Sequence, residues 1–323
     1  MLSSAGHRVA LMNCFREALT TLKLDGELLA VDLSRYSSAY QLADRSWTVP
    51  RATAPEFIPR MLEICEREAV SLLVPTIDVE AETLSANREA FTKIGTHVMI
   101  SAPEVIRIAS DKVLTHKWLS EEGLDTPRQG SVADVLSAPA DWSYPLIAKP
   151  VNGSCSIGVE VVHNAEELSH ASRDEAYIVQ SIAPGVEYTV SVYANRGGQA
   201  LCAVPRERLE VRNGEVFKAR AVRNAAIEEL ACRVINRLPG ASGVLNVQIF
   251  HDAKTGELNI IEINPRFGGG YPLAWHAGAR YPQWLIEELR GLPSSASANG
   301  WTGGMVMLRY DDAVFVPAGA VQS

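Results

Sequence analysis

Apolar positions along the chain fall into two rhythms. Up to about residue 110, short apolar runs alternate with stretches in which apolar residues recur every three or four positions. The runs are Leu28–Leu33 (LLAVDL) and Leu72–Pro75 (LLVP); the helical patterns are Phe57–Glu68 (FIPRMLEICERE) and Ala81–Ile94. Strands alternating with helices imply βαβ units and a mostly parallel sheet. The opening MLSSAGHRVALM reads as the tail of a first strand already entering its turn, so a few residues upstream are expected.

Beyond Ser110 the rhythm changes. The segment SDKVLTHKWLSEEGLDTP has Ser110 as a candidate N-cap, apolar Val113, Leu114, Trp118 and Leu119, and Gly123 and Pro127 as stop signals, which predicts a helix of about three turns. The runs Pro145–Lys149, Gly158–Val162, Tyr177–Ser181 and Glu187–Ala194 are short, β-branched and separated by Gly, Pro or Asn, as antiparallel strands tend to be. Asn195–Gln199 and Asn213–Glu215 read as hairpin turns, Ala225–Leu238 as a helix, and Val244–Asp252 and Glu257–Asn264 as a third hairpin about Lys254–Gly256. The fold class is therefore α/β followed by α+β, with a Rossmann-like layer first.

The last hairpin makes a geometric statement. With a turn at Lys254–Gly256, Ala253 faces Glu257, and counting back sets Gln248 opposite Glu262. Side chains alternate faces along a strand, so Glu262 and Asn264 share a face and Gln248 joins them, while Val247, Ile249, Ile261 and Ile263 form the core face. Three oxygen-bearing side chains then converge. One carboxylate and two amides also make an ordinary solvated face, but the trio suits Mg²⁺, which takes such oxygens and bridges to phosphates. Upstream, residues 149–158 read KPVNGSCSIG, a strand-terminal lysine followed by a loop of small residues whose N–H groups can approach phosphate oxygens.

Composition narrows the chemistry. The 323 residues exceed what one core usually serves, and 47% hydrophobic with 21% charged residues is ordinary for a globular protein. A formal charge of −8 argues against a nucleic-acid partner, which needs clustered Lys and Arg. Cys14, Cys65, Cys155, Cys202 and Cys232 lack ligand or disulfide spacing, and no apolar run approaches a membrane span, so a cytoplasmic protein with no membrane partner is expected. Neither GxxxxGK[ST] nor a GxGxxG after the first strand is present, which demotes P-loop and dinucleotide-binding enzymes.

Taken in order, Lys112 near a helix start, Lys149 before a Gly/Ser loop, Gln180 with Gly185-x-Glu187, and Gln248 with Glu262-Ile263-Asn264-Pro265-Arg266 resemble the ATP-grasp superfamily, most closely its carbamoyl-phosphate-synthetase-like branch. The resemblance runs from the N-terminal layer to about residue 290. It implies an ATP-grasp fold with an N-terminal Rossmann-like (pre-ATP-grasp) domain over 1–110, a small lid subdomain over 111–182 and a C-terminal subdomain carrying the metal site over 183–323. It implies ATP and Mg²⁺ as cofactors, with Mn²⁺ as a substitute. Lys112 and Lys149 would contact phosphates, and the loop with Gly153, Ser154, Ser156 and Gly158 would close over them. Gln180, Ser181 and Ile182 would face adenine and Glu187 the ribose. Gln248, Glu262 and Asn264 would hold the metal, while Arg266 and Lys218 would act on the transferring phosphoryl group.

The same resemblance implies a carboxylate–amine ligase that forms an amide through an acyl phosphate and releases ADP and phosphate, acting on small-molecule carboxylate and amine substrates; a homodimer is compatible with it. A carbamate- or formate-activating enzyme and a non-catalytic nucleotide-binding regulator are the alternatives. Substrate choice is expected to lie with Phe267–Ala279, including His276, and with the 206–223 region, where one or two of Arg206, Arg208, Arg220 and Arg223 would receive a carboxylate bidentately.

Overall fold

The computed structural model describes residues 1–153, 157–171, 177–212 and 214–321. Its first sheet is parallel and five-stranded: β1 (Leu2–Ser3), β2 (Leu29–Asp32), β3 (Arg45–Thr48), β4 (Leu72–Pro75) and β5 (His97–Val98), in the order β3-β2-β1-β4-β5. Chain direction across the sheet reverses between β1 and β4. In an open α/β sheet the loops at the carboxyl ends of the strands flanking such a point form a crevice. Glu80, buried behind the β4 loop, ties the two loops together by accepting from Ser3 Oγ (2.5 Å), Ser4 Oγ (3.0 Å) and the Thr76 N–H (2.8 Å).

A second, antiparallel sheet holds β6 (Gln129–Ser131), β7 (Leu146–Pro150), β8 (Glu160–Val162) and β9 (Tyr177–Ser181) in the order β6-β9-β7-β8. The third, also antiparallel, comprises β10 (Val186–Ala194), β11 (Ala200–Arg212), β12 (Glu215–Ala221), β13 (Gly243–His251), β14 (Leu258–Asn264) and β15 (Val306–Leu308), ordered β14-β13-β10-β11-β12-β15. Helix Ala225–Arg237 covers one face of it, packing Ile227, Leu230 and Val234 against Val190, Val192, Leu245, Val247, Ile249, Ile260 and Ile263. On the opposite face Tyr193, Cys202 and Val204 pack with Tyr271, Tyr281 and Trp284, and the remainder of that face is left for the site. Among the described residues no helix is long and apolar enough to cross a membrane.

Three local expectations are corrected. Ser110 ends a preceding helix, Pro103–Ser110, and the cap of helix Lys112–Glu121 is Asp111, whose Oδ1 accepts from the N–H groups of Val113 (2.7 Å) and Leu114 (3.1 Å). The pattern over Ala81–Ile94 forms two short helices, Ala81–Ala86 and Arg88–Lys93, parted at Asn87. In the last hairpin Asp252, not Ala253, faces Glu257, closing a turn in which the Gly256 N–H reaches the Asp252 carbonyl (2.8 Å).

That one-residue offset is undone by a bulge. The pairing runs His251↔Leu258, Phe250↔Asn259, Ile249↔Ile260 and then Gln248↔Glu262, leaving Ile261 as the extra residue. Ile260 thus takes the core position expected of Ile261, which lines the cleft instead. The residue Asn213, expected in a turn, and Ser154 and Ser156, expected in the phosphate loop, lie outside the described residues.

Candidate active site

Two cavities meet along β13. Its residues alternate faces, so Phe250, Gln248 and Asn246 point away from the helix-covered core at intervals of about 7 Å. Phe250 lines the first cavity, Asn246 the second, and Gln248 both.

The first cavity, about 340 Å³, lies between the second and third sheets. Alternation along β7 sends Leu146 and Ala148 into the small core under that sheet and Ile147 and Lys149 into the cavity. Lys149 is 7% exposed, and burial lowers its pKa to about 8; Glu262 opposes that fall and Lys112 adds to it. Lys112, at the first turn of its helix, donates from Nζ to the carbonyls of Gly153 (3.0 Å) and Val151 (3.3 Å), and burial lowers its pKa too. Gln180, Ser181, Ile182, Glu187 and Gly153 also line it. Gly158 lies close by, with φ +71°, and a Cβ there would sit 2.9 Å from Pro150 Cγ.

Gln180 and Glu187 already have partners. Gln180 donates through Nε2 to Gln129 Oε1 (2.7 Å), and the Ser181 N–H goes to the Arg128 carbonyl (3.0 Å). Glu187 accepts from Arg208 in an ion pair and from Gln248 Nε2 (3.1 Å). The second bond orients the Gln248 amide so that its oxygen is left available beside Glu262.

Gln248 and Glu262 face one another across the hairpin, and Asn264 follows two residues along the same face. Burial raises the Glu262 pKa, Lys112, Lys149 and Arg266 lower it, and Asp78 adds to the rise. Among the described residues no three His, Cys, Asp or Glu side chains cluster as an all-protein metal cage would require. One carboxylate with two amide oxygens fits instead a hard cation that takes its remaining ligands from phosphate, as Mg²⁺ does.

The second cavity, about 140 Å³, lies on the far side of Gln248 and Glu262 and is lined by four arginines, Arg8, Arg206, Arg208 and Arg266. Arg266 makes a bidentate pair with Asp78 from the loop after β4 (Nε–Oδ1 2.7 Å, Nη2–Oδ2 2.6 Å). Arg8, from the loop after β1, lies 3.8 Å from Glu215, whose pKa His7, Arg309 and Arg8 hold below the usual carboxylate range. Both loops belong to the reversal point of the first sheet, so that crevice forms a wall of the site. Arg206 is 1% exposed; its Nη2 donates to Asn246 Oδ1 (3.0 Å), and burial lowers its pKa to about 10.

The structure does not bring every expected residue here. Lys218 lies outside both linings, paired with Glu210 (2.6 Å) on the face that also carries Arg220 and its partner Glu207. His276 is exposed, and Arg223 stacks on Trp301 and binds Glu228. Conversely, Arg8, Asp78 and Asn246 escaped the sequence reading. Asn246 was open to it, two residues from Gln248 on the same face; Arg8 and Asp78 arrive only through packing of the first sheet on the third.

Comparison with known proteins agrees with this layout. Residues 109–270 match the ATP-grasp domain family and residues 1–99 the PylC-like N-terminal domain family. The carbamoyl phosphate synthase large chain of Thermotoga petrophila is 25% identical over 307 residues, 84% of this chain, and the chain spans only 28% of that relative's length. Among solved structures, the biotin carboxylase domain dimer of Hydrogenobacter thermophilus 2-oxoglutarate carboxylase, in complex with MgADP, ADP and bicarbonate, superposes with a TM-score of 0.74 at 16% identity, covering 94% of this chain and 72% of that one. The N5-carboxyaminoimidazole ribonucleotide synthetase of Thermotoga maritima gives 0.66 at 17%, covering 92% and 76%. These structural likenesses speak to the fold, an α/β domain followed by antiparallel sheets. With half of its length matched by the ATP-grasp domain, which supplies nearly all of both linings, the chain belongs to the ATP-grasp family.

Proposed function

We propose that this chain is an ATP- and Mg²⁺-dependent carboxylate–amine ligase that works through an acyl phosphate. The observation that carries the reading is the junction of the two cavities. A cavity with Lys112 and Lys149 opens, past Gln248 and Glu262, onto one lined by arginines. Among the described residues neither lining contains a His or a Cys, and on this reading the attacking group is supplied by the substrate.

The chain's own residues then position and neutralise, which is most of what phosphoryl transfer asks of a protein. Lys149 and Lys112 meet the phosphates, with Gly153 and Gly158 in the loop beside them. Gln180, Ser181 and Ile182 face the base, and because the Ser181 N–H is engaged, the base edge is read by its neighbours. Glu187 takes the ribose. Gln248, Glu262 and Asn264 would hold Mg²⁺, which would supply positive charge to offset that of the phosphates. A carboxylate oxygen of the acid substrate attacks the γ-phosphorus, the bond to the β-phosphate oxygen breaks and ADP departs. The amine then attacks the acyl carbon, expelling phosphate and giving up a proton to solvent. Arg266, fixed by Asp78, faces the charge that develops between these steps.

The test screens pools of acids, bicarbonate included, with pools of amines for ADP release. The acid found is then labelled with ¹⁸O. Transfer of one labelled oxygen to inorganic phosphate is expected; label in AMP would reject the acyl phosphate, and no ADP release with any pair would reject the ligase reading.

A further inference from the structure

Arg206 stands apart from the other arginines of the second cavity. Arg8 has Glu215 nearby, Arg208 pairs with Glu187 and Arg266 with Asp78. Among the described residues Arg206 alone of the four has no acidic partner, and its buried Nε, like that of Arg208, has no hydrogen-bond acceptor. A fully charged group taken out of water without a counter-charge is costly, and such groups are ordinarily paired.

The backbone around it is shaped to admit it. A Cβ on Gly270 would lie 2.1 Å from Arg206 Nη1, one on Gly269 would lie 2.6 Å from Arg8 Nη1, and one on Gly268 would lie 3.1 Å from Asn246 Oδ1. The Gly268–Gly270 run after Arg266 therefore lets two guanidinium groups reach the cavity wall, which side chains at those positions would prevent. All three glycines line the cavity with Arg206.

Position then separates this charge from the reacting centre. Glu262, Gln248, Thr189 and Arg206 form one cross-strand row on the cleft face of the third sheet. The Arg206 guanidinium leans along the strands to Asn246, one step of about 7 Å beyond Gln248 and away from the nucleotide cavity. A carboxylate attacking a phosphate held at Gln248, Glu262 and Arg266 leaves Arg206 without a partner.

Resting on the ligase reading for the place of the reacting carboxylate, we propose that Arg206, admitted by Gly268–Gly270 and assisted by Arg8, receives a second carboxylate that a substrate keeps throughout the reaction. That carboxylate belongs either to a dicarboxylic acid substrate or to an amino-acid amine substrate.

The probes are succinate and glutarate with their half-amides, and glycine and β-alanine with their amides, titrated calorimetrically into protein loaded with Mg·ADP. At least one acid is expected to bind about tenfold or more tighter than its amide, because the amide leaves the guanidinium unneutralised. Discrimination among the diacids assigns the carboxylate to the acid substrate, and among the amino acids to the amine. In Arg206→Met the discrimination should fall to within about twofold, with Mg·ADP affinity unchanged and the melting temperature of the ligand-free protein held or raised, since an unpaired buried charge is removed. Arg206→Lys should recover part of the discrimination. Equal binding of acid and amide, no binding of any acid, or full discrimination in Arg206→Met would each overturn the proposal. So would a fall in melting temperature in Arg206→Met that Arg206→Lys reverses without restoring discrimination, which would make Arg206 structural. Loss of Mg·ADP binding by the unmodified protein is a different failure, that of the ligase reading beneath.

Discussion

Lys149 shows how one buried side chain ties binding to pH. Burial holds its pKa at about 8, well under the 10.5 of a free lysine. A phosphate favours the charged form, so nucleotide affinity should fall as pH rises through about 8, and binding near that pH should take up a proton. Stability runs the other way. Between about 8 and 10.5 the unfolded chain holds this proton and the folded chain does not, so the lysine's contribution to ligand-free stability rises across that window. Calorimetry of ADP binding in buffers of different ionisation enthalpy should show the uptake, and Lys149→Met should abolish both the uptake and the pH dependence. Uptake that persists in the variant would assign the titration to another group.

At the scale of elements, the connection from the second sheet into β10 depends on one backbone position. Gly185 has φ +94°, and a Cβ there would lie 2.1 Å from the His251 carbonyl oxygen, a backbone atom that cannot move aside cheaply. Gly185→Ala should cost about 2–4 kcal/mol in denaturant unfolding, whereas Gly256→Ala, with φ +78° and open space around it, should cost about 1 kcal/mol. Equal costs would mean that dihedral strain alone governs both. Such contacts show what the linear pattern conveys. Strands with continuous apolar runs, such as Leu72–Pro75 and Tyr177–Ser181, were legible to within a residue, as were the helices at Phe57 and Ala225. The facing of Gln248 and Glu262 was also legible, but through two offsets that cancel, a longer turn and a bulge at Ile261. Lys218 was misplaced because alternation on β12 sets it on the face of Arg220, whose partner is Glu207, and so away from Arg206 and Arg208, whatever the irregular pairing about Leu209.

For the molecule as a whole, the site is finished by a preceding domain, whose Asp78 stands 188 residues before the Arg266 it holds. Asp78 fixes Arg266 from the β4 loop, and no local pattern could reveal that, because it exists only once the first sheet docks on the third. Asp78→Asn keeps the shape and removes the charge. Turnover should drop by about tenfold or more as Arg266 loses its orientation, with Mg·ADP affinity unchanged within about twofold and the melting temperature lowered by only a few degrees. Loss of ADP affinity would show instead that Asp78 supports the nucleotide cavity.

The wall shared by the two cavities, Gln248, Glu262 and Arg208, also makes their occupants thermodynamic neighbours. Two anions placed on either side of it repel each other, while a dication held on the wall attracts both and so turns competition into mutual assistance. Whatever factor the metal-bound nucleotide contributes to capture of the acid, the acid returns to the nucleotide, because the four equilibria close a cycle. On the proposed function, such a site would retain its nucleotide most firmly when the acid is present, and would let both go more readily once the reaction had rearranged the charge between them.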